Sequence, residues 1–204
     1  MNIHIDWKAY WDAFITLFIV FDAIGNVPIF YSLTVNFDYR RRVSIFTRSV
    51  FVAGFLLVFF ALFGFLFLSY YGVTLDDFRV AGGLLLFIIA IQGVFGKIEA
   101  EALRSEDIAI VPMATPLLAG PGSIYTVMYV STIYGTGPAL ASIFLNTIVA
   151  FVLLRYSEFL LSKLGKNLIL VFSRIMSFLL AVIAITLLRE GIVNILSGVF
   201  SETR

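Results

Sequence analysis

Long apolar runs separated by short polar segments dominate the chain. An α-helix needs about 20 apolar residues to cross the roughly 30 Å hydrocarbon core of a bilayer, and six runs reach that length. They extend over about 11–31, 43–70, 78–96, 108–133, 138–161 and 168–199. The pattern therefore predicts an all-α membrane protein with six transmembrane helices in the lipid bilayer.

Polar and helix-breaking residues interrupt the first and fourth runs, in the segments Asp22–Pro28 (DAIGNVP) and 112–123 (PMATPLLAGPGS). Four of the five prolines lie in these two segments. Proline lacks a backbone N–H and clashes with the carbonyl four residues earlier, so it opens the helical hydrogen-bond ladder. Irregular backbone at membrane depth is tolerated only where protein buries it or where it lines a watery cavity. We therefore expect helices 1 and 4 to be broken, near Gly25 and Gly120, and the breaks to form the functional site.

A shift of 95 positions relates the two halves of the chain. It places Gly25 on Gly120 and Arg79 on Arg174, so both breaks and both flanking arginines coincide. Each half holds three spans, an odd number, so the halves must have opposite orientations in the membrane. Inverted repeats with broken helices at corresponding places are typical of secondary transporters. The predicted organisation is two inverted three-helix repeats, 1–96 and 108–204, joined by a cytoplasmic loop at 97–107.

Composition narrows the class of protein further. The chain is 61% hydrophobic and 13% charged, whereas soluble domains are about 25% charged. The net charge of +1 indicates no nucleic-acid partner, and with zero cysteines and one histidine we expect neither a metal centre nor a cofactor. Ser123 and Thr115 have no histidine or lysine at membrane depth to activate them, so we expect no enzyme.

Basic residues in the connections predict the orientation. Cytoplasmic loops carry an excess of lysine and arginine. The loops after spans 1, 3 and 5 hold seven, and the opposite side holds three. The seven are Arg40, Arg41, Arg42, Lys97, Arg104, Lys163 and Lys166, and the three are Lys8, Arg79 and Arg204. This bias predicts a multi-pass protein of the cell (inner) membrane with both termini outside.

The ends of broken helices suggest what the breaks bind. The N-terminal end of a half-helix offers unpaired N–H groups to a carboxylate, and the C-terminal end offers carbonyls to an ammonium or a cation. Glycines and alanines allow close approach of the ligand and leave little room for a large side chain. We therefore expect a site for a small amino acid. The predicted substrate-binding residues are Asp22, Ala23, Gly25, Asn26, Pro28, Thr115, Ala119, Gly120, Pro121, Gly122 and Ser123.

Asp22 is the carboxylate nearest the middle of the first span. A carboxylate at that depth is costly and indicates function, so Asp22 is a candidate ammonium partner or proton carrier. The alternative is a carboxyl that only hydrogen-bonds the broken backbone. Asn26 has the same two interpretations, because an amide can cap the half-helix that it begins. As coupling ion we favour H⁺ over Na⁺.

Smaller expectations concern charged and small residues outside the breaks. Arg79 should snorkel to an interface, and Arg155 should pair with Glu158 three residues later. Arg189–Glu190 should form an interfacial pair. Gly82–Gly83 should allow close helix packing.

Several of these segments resemble the signature stretches of the MarC family of integral membrane proteins. They are Asp22–Pro28, Phe78–Gly83 (FRVAGG), Val111–Pro116 (VPMATP) and Ala119–Ser123 (AGPGS). The resemblance covers essentially the whole chain. It implies six spans in two inverted repeats, within the wider LysE-type transporter group. It also implies transport of small neutral amino acids such as glycine and alanine, with serine or threonine as further candidates.

The leading hypothesis is thus a secondary transporter of small neutral amino acids that works by alternating access about the two breaks. A channel or facilitator for another small polar solute would share the glycine-rich breaks but would show no saturable counterflow. An intramembrane enzyme and a structural membrane protein are further rivals, and the second of these leaves the polar breaks unexplained.

Overall fold

The structure, a computed structural model, describes residues 6–96, 109–161 and 166–202. Within these ranges it contains eight α-helices, one irregular π-helical segment and no β-strand. The helices are α1 Trp7–Phe21, α2 Ala23–Thr34, α3 Tyr39–Tyr70, α4 Leu75–Val94, α5 Pro121–Tyr134, α6 Thr136–Arg155, α7 Ser157–Leu161 and α8 Lys166–Glu202. The π segment, Ala109–Leu118, precedes α5. The predicted loop 97–107 lies outside the described residues, as do Lys163 and Arg204.

Five stretches in the described ranges are long and apolar enough to cross a membrane. They are Trp7–Thr34 (α1 with α2), Tyr39–Tyr70, Leu75–Val94, Thr136–Arg155 and Leu170–Gly198. They correspond to five of the six apolar runs. The fourth run is divided between the π segment and α5, whose 14 residues span only about 21 Å at 1.5 Å per residue.

The helix contacts define one end of the bundle, which we call the Trp7 end. Tyr10, in the first turn of α1, lies beside Gly137 in the first turn of α6, where a Cβ atom would be 3.2 Å from the Tyr10 hydroxyl oxygen. The Asn194 amide of α8 donates a 3.0 Å hydrogen bond to the Asp76 carboxylate of α4. The starts of α1, α4 and α6 therefore lie at the same end as the last turns of α8.

The end of α2, the start of α3 and α7 lie together at the opposite end of the bundle, which we call the Arg42 end. Arg42, in the first turn of α3, donates a 3.2 Å hydrogen bond from Nε to the carbonyl of Thr34, the last residue of α2. Its guanidinium also forms a 3.0 Å ion pair with Glu158 of α7. The combined α1–α2 span thus runs from the Trp7 end to the Arg42 end.

Helix α2 forms the centre of the bundle. Every residue of α2 except Ile24 is buried, and Phe30 is fully enclosed and lies against Phe46 of α3 with ring centroids 6.1 Å apart. The long helices around it present large apolar side chains outward, among them Phe51 and Phe55 of α3. Apolar exterior side chains are suited to lipid tails, so this arrangement is that of an integral membrane protein.

Small residues bring α4 and α8 into close contact. A Cβ atom at Gly83 would lie 3.0 Å from the Ala184 carbonyl oxygen, and one at Gly191 would lie 2.6 Å from Val80 Cγ2. Close packing at small residues is the usual way in which membrane helices associate. The prediction that Gly83 serves helix packing is confirmed.

Local signals explain several helix ends. Thr74 and Asp77 form a reciprocal capping box at the start of α4, as an acidic first turn predicts. The fifth apolar run is less regular than predicted, because α6 ends at Arg155 and the short α7 follows after Tyr156.

Candidate functional site

The first break consists of a single residue, Asp22. Its backbone is left-handed, with φ 43° and ψ 49°, a conformation that aspartate and asparagine tolerate better than other side chains. Its carboxylate oxygen Oδ1 accepts a 3.0 Å hydrogen bond from the Gly25 N–H and caps α2. The buried Asn26 amide reaches back to the carbonyl of Phe21, the last residue of α1, at 3.4 Å. The side chains of Asp22 and Asn26 thus bond to the backbone on both sides of the break.

The position of this break differs from the prediction. It lies three residues before Gly25, and α2 continues through the buried Pro28. A proline in a helix interior removes one hydrogen bond, but here the surrounding bundle keeps the segment helical. The left-handed residue, and not the proline, ends α1. Ala23 is the first residue of α2 and is also buried.

The second break is longer and arises from the backbone. Val111 and Thr115 have extended φ/ψ values of −128°/125° and −131°/123°, because a residue that precedes a proline is driven out of the helical region. The Ala119 N–H bonds to the Ala114 carbonyl five residues earlier, at 2.8 Å. Gly120 is extended, with φ −80° and ψ 172°, and α5 begins at the next residue.

The N-terminus of α5 has no side-chain cap. Gly120 occupies the capping position, and Pro121 is the first helical residue, where its missing N–H costs nothing. The Ile124 N–H bonds back to the Gly120 carbonyl at 2.9 Å. The N–H groups of Gly122 and Ser123 stand at the second and third positions, which a cap normally satisfies. Both residues are buried.

The two breaks lie at similar depth and next to each other. Both α1, with 15 residues, and α5, with 14, extend from a break to the Trp7 end, so each covers about 21 to 22 Å. A Cβ atom at Gly122 would lie 2.9 Å from Val20 Cγ1, in the last turn of α1, and 3.5 Å from Leu187 Cδ1. The C-terminal end of α1 therefore lies beside the N-terminal end of α5.

Gly82 of α4 places α5 in this position. A Cβ atom at Gly82 would collide with the ring of Pro121, so only glycine allows this approach of α4. The prediction of close packing at Gly82 is confirmed, and its partner is the second break itself.

The structure thus brings Gly122 beside Val20, which lies two residues before Asp22 in the last turn of α1. The Asp22 carboxylate occupies the space beside Gly25, where an added Cβ atom would collide with it. Thr115 is half-buried and Ala119 is buried in the approach to α5. Within the described ranges, no group of three acidic or histidine side chains could hold a metal ion.

Sequence reasoning missed a charged cluster beside the site, the Arg79 cluster, formed by Arg79, Asp76, Glu190 and Tyr125. Arg79 is only 9% exposed, so the prediction that it snorkels to an interface is wrong. Its guanidinium lies 3.6 Å from carboxylate oxygens of Asp76 and Glu190. Its Cζ atom lies 3.8 Å from the centroid of the Tyr125 ring. Glu190 therefore pairs across helices, which the sequence spacing did not reveal.

A second buried arginine was counted in the sequence only as a loop charge. Arg42 is 6% exposed. Besides Thr34 and Glu158, it contacts the Phe37 carbonyl at 3.0 Å and the Tyr31 ring at 4.9 Å. Glu158 thus pairs with Arg42, and the predicted pair of Arg155 with Glu158 is not formed in the described structure. The only signal in the sequence was that Arg42 directly precedes the second apolar run.

Apolar spanning helices and a broken, buried centre define an integral, multi-pass membrane protein. Comparison with known proteins gives its family. The model of the MarC family of integral membrane proteins matches residues 7–196, and the chain belongs to this family. No solved structure matches the chain.

Curated relatives support the assignment over nearly the full length. A UPF0056 membrane protein of Aquifex aeolicus is 36% identical over 197 residues, which cover 90% of this chain and 92% of the relative. One of Methanocaldococcus jannaschii is 35% identical, with 91% and 87% covered. UPF0056 membrane protein YvbG of Bacillus subtilis is 35% identical, with 88% and 92% covered.

Proposed function

We propose that the protein is a secondary transporter of small neutral amino acids, such as glycine and alanine, and that it has no catalytic activity. One observation carries the proposal. The carbonyl end of α1 and the uncapped amide end of α5 meet in the buried centre of the bundle, where Gly122 approaches Val20. Two helix ends of opposite polarity are complementary to the two charges of a zwitterion.

The first break shows how a carboxylate fits such an end. At α2, the Asp22 carboxylate accepts a hydrogen bond from the Gly25 N–H. At α5, the capping residue is Gly120, which has no side chain. A substrate carboxylate would take the place at α5 that the protein's own side chain takes at α2.

The surroundings favour a small substrate. Val20 and Leu187 lie within 3.5 Å of the position that a Cβ atom at Gly122 would occupy, so little volume is free beside the amides. The same closeness means that the helix ends must separate slightly to admit a ligand. We therefore propose alternating access, in which the two halves move about the breaks.

The order of the elements supports an inverted repeat. A broken span is followed by two long helices in each half, α1–α2 with α3 and α4, and the π segment–α5 with α6 and α8. The first broken span runs toward the Arg42 end and the second runs toward the Trp7 end. We propose six spans in the cell (inner) membrane, with the termini outside and the loop 97–107 in the cytoplasm.

We further propose that uptake is coupled to H⁺ through Asp22, in preference to Na⁺. Asp22 is the carboxylate at the break and is half-buried. Ionisable residues at membrane depth commonly serve proton relays.

Transport in proteoliposomes tests the proposal. The purified protein should take up labelled glycine and alanine saturably, should exchange them against internal unlabelled substrate, and should concentrate them when a pH gradient is imposed. Flux without saturation or counterflow would establish a channel instead. Absence of any flux of small amino acids would contradict the proposed substrate class.

A pair of variants tests the amides of α5. Gly122→Val combined with Val20→Ala moves apolar volume from α1 to α5, so packing is nearly conserved while the amides are covered. The double variant should remain folded and lose binding, whereas Val20→Ala alone should still transport. Normal transport by the double variant would exclude these amides as the carboxylate site.

The proposed orientation can be tested by labelling, because the chain has no cysteine of its own. Single cysteines at Asn2, at Thr203 and at Arg40 can be exposed to an impermeant thiol reagent on whole cells. We expect labelling at both termini and none at position 40. The reverse pattern would invert the topology.

A further inference from the structure

The Arg79 cluster lies between the candidate site and the Trp7 end of the bundle. Arg79 precedes Gly82 by one helical turn, and Gly82 packs on Pro121, the first residue of α5. Tyr125 follows Pro121 by four residues, which is about 6 Å along α5. The cluster therefore lies on the Trp7 side of the amides of Gly122 and Ser123, within about one helical turn of them.

The cluster joins α5 to the α4–α8 pair. Arg79 belongs to α4, Glu190 to α8 and Tyr125 to α5. The glycine contacts at Gly83 and Gly191 hold α4 and α8 together. Separation of α5 from that pair would release the contact of Tyr125 with Arg79.

The cluster is held loosely for a buried charge. Both ion pairs of Arg79 are 3.6 Å long, and its Nε has no hydrogen-bond partner among the described residues. Burying an arginine without full compensation costs free energy that apolar packing would not. The contacts of Arg79 are therefore weaker than those of a fully satisfied buried arginine.

The Arg42 end provides the contrast. There Arg42 has a shorter ion pair with Glu158, at 3.0 Å, and two hydrogen bonds to carbonyls, although its Nη1, like Nε of Arg79, has no hydrogen-bond partner among the described residues. Tyr31 of α2 lies under its guanidinium and follows Asp22 by nine residues, which is about 13 Å of buried helix. Buried α2 therefore lies between the site and the Arg42 end, and the Arg79 cluster lies on the Trp7 side of the site.

We propose that Arg79, Glu190 and Tyr125 form the gate of the pathway at the Trp7 end. In the conformation described, the stacked guanidinium and its ion pair close the route to the α5 N-terminus. The gate opens when α5 moves away from α4 and α8. The role of a gate rests on the proposed transport function, but the experiment that tests it does not require transport.

Accessibility of the site tests the gate. Ser123→Cys, in a chain without other cysteines, places a single thiol at the N-terminus of α5. An impermeant thiol reagent is applied from the Trp7 side and, in inverted vesicles, from the Arg42 side. In this background, Glu190→Gln keeps the side-chain size but removes the ion pair. It should accelerate labelling from the Trp7 side about threefold, the size expected for the loss of a partly exposed ion pair, and should leave labelling from the Arg42 side unchanged.

Arg189→Gln is the matched control. Arg189 is the neighbouring residue, is exposed, and forms no ion pair among the described residues. Its neutralisation should leave the labelling rate unchanged. Equal rates in the Glu190→Gln and Arg189→Gln variants, or acceleration from the Arg42 side, would overturn the gate.

A second variant covers the case in which Glu190→Gln does not fold, as judged by its elution from a sizing column. Tyr125→Leu removes the ring beneath Arg79 and should accelerate labelling from the same side, and an unchanged rate would refute the proposal. Labelling needs no amino acid, so the gate and the substrate assignment are tested separately. A responsive gate in a protein without glycine uptake would disprove only the transport proposal.

Discussion

The two helix breaks differ in length and in what holds them. The first is one left-handed residue, Asp22, whose own carboxylate caps the following helix. The second extends from Val111 to Gly120, follows from prolines and glycine, and leaves α5 without a side-chain cap. At the first break, a side chain of the protein itself therefore caps the helix end. The second leaves amides for a ligand and depends on a neighbour, because Gly82 must admit Pro121.

The largest expected effect tests this dependence on a neighbour. Gly82→Val would drive a branched side chain into Pro121, and overpacking of this kind costs about 3 kcal/mol. We expect strong loss of folded protein, measured by thermal unfolding in detergent. Gly198→Val is the control, since a Cβ atom there meets open space. Equal losses in the two variants would show that Gly82 does not position the second break.

The next effect tests whether the first break depends on its own cap. Gly25→Ala would displace the Asp22 carboxylate, with an expected cost of about 2 kcal/mol from the lost cap and the crowding. The double variant with Asp22→Gly removes the collision, so it should be more stable than the sum of the single changes predicts. Strict additivity in unfolding experiments would contradict the collision.

Substitutions of Asp22 should follow the order of their backbone and capping properties. Asp22→Ala loses the cap and places alanine in a left-handed conformation, at about 2 kcal/mol. Asp22→Gly loses only the cap and keeps the left-handed backbone unstrained, at about 0.3 kcal/mol. Asp22→Asn keeps both properties and should unfold at nearly the parent temperature. A different order would mean that capping is not the structural role of Asp22.

Asp22→Asn, which is expected to change the structure least, tests the function of Asp22. Asp22→Asn should preserve the fold and the exchange of glycine for glycine, and should lose both concentrative uptake and its dependence on pH. A proton carrier is dispensable for exchange, whereas an ammonium partner is needed in both modes, so loss of exchange would assign Asp22 to the substrate. Full uptake with the parent's pH response would leave Asp22 as a structural cap.

Features that depend on neighbours in sequence were predictable. Five of the six apolar runs correspond to helices long enough to span a membrane, and the capping box at Thr74 and Asp77 follows from residues three positions apart. The extended residues Val111 and Thr115 follow from the prolines after them. In each case the physical cause lies within one helical turn, so the sequence alone was sufficient to locate both interrupted segments.

The tertiary structure decided what the interrupted segments contact. Arg79 is buried against Glu190 and Tyr125, which are more than 40 positions away in the chain. Glu158 pairs with Arg42 and not with Arg155. The first break lies at Asp22 and not at Gly25, because the Asp22 carboxylate caps α2 and the surrounding bundle keeps Pro28 within the helix. Partners of charged side chains and tolerance of a buried proline depend on which helices pack together. That packing is a property of the whole bundle, which no local pattern in the sequence contains.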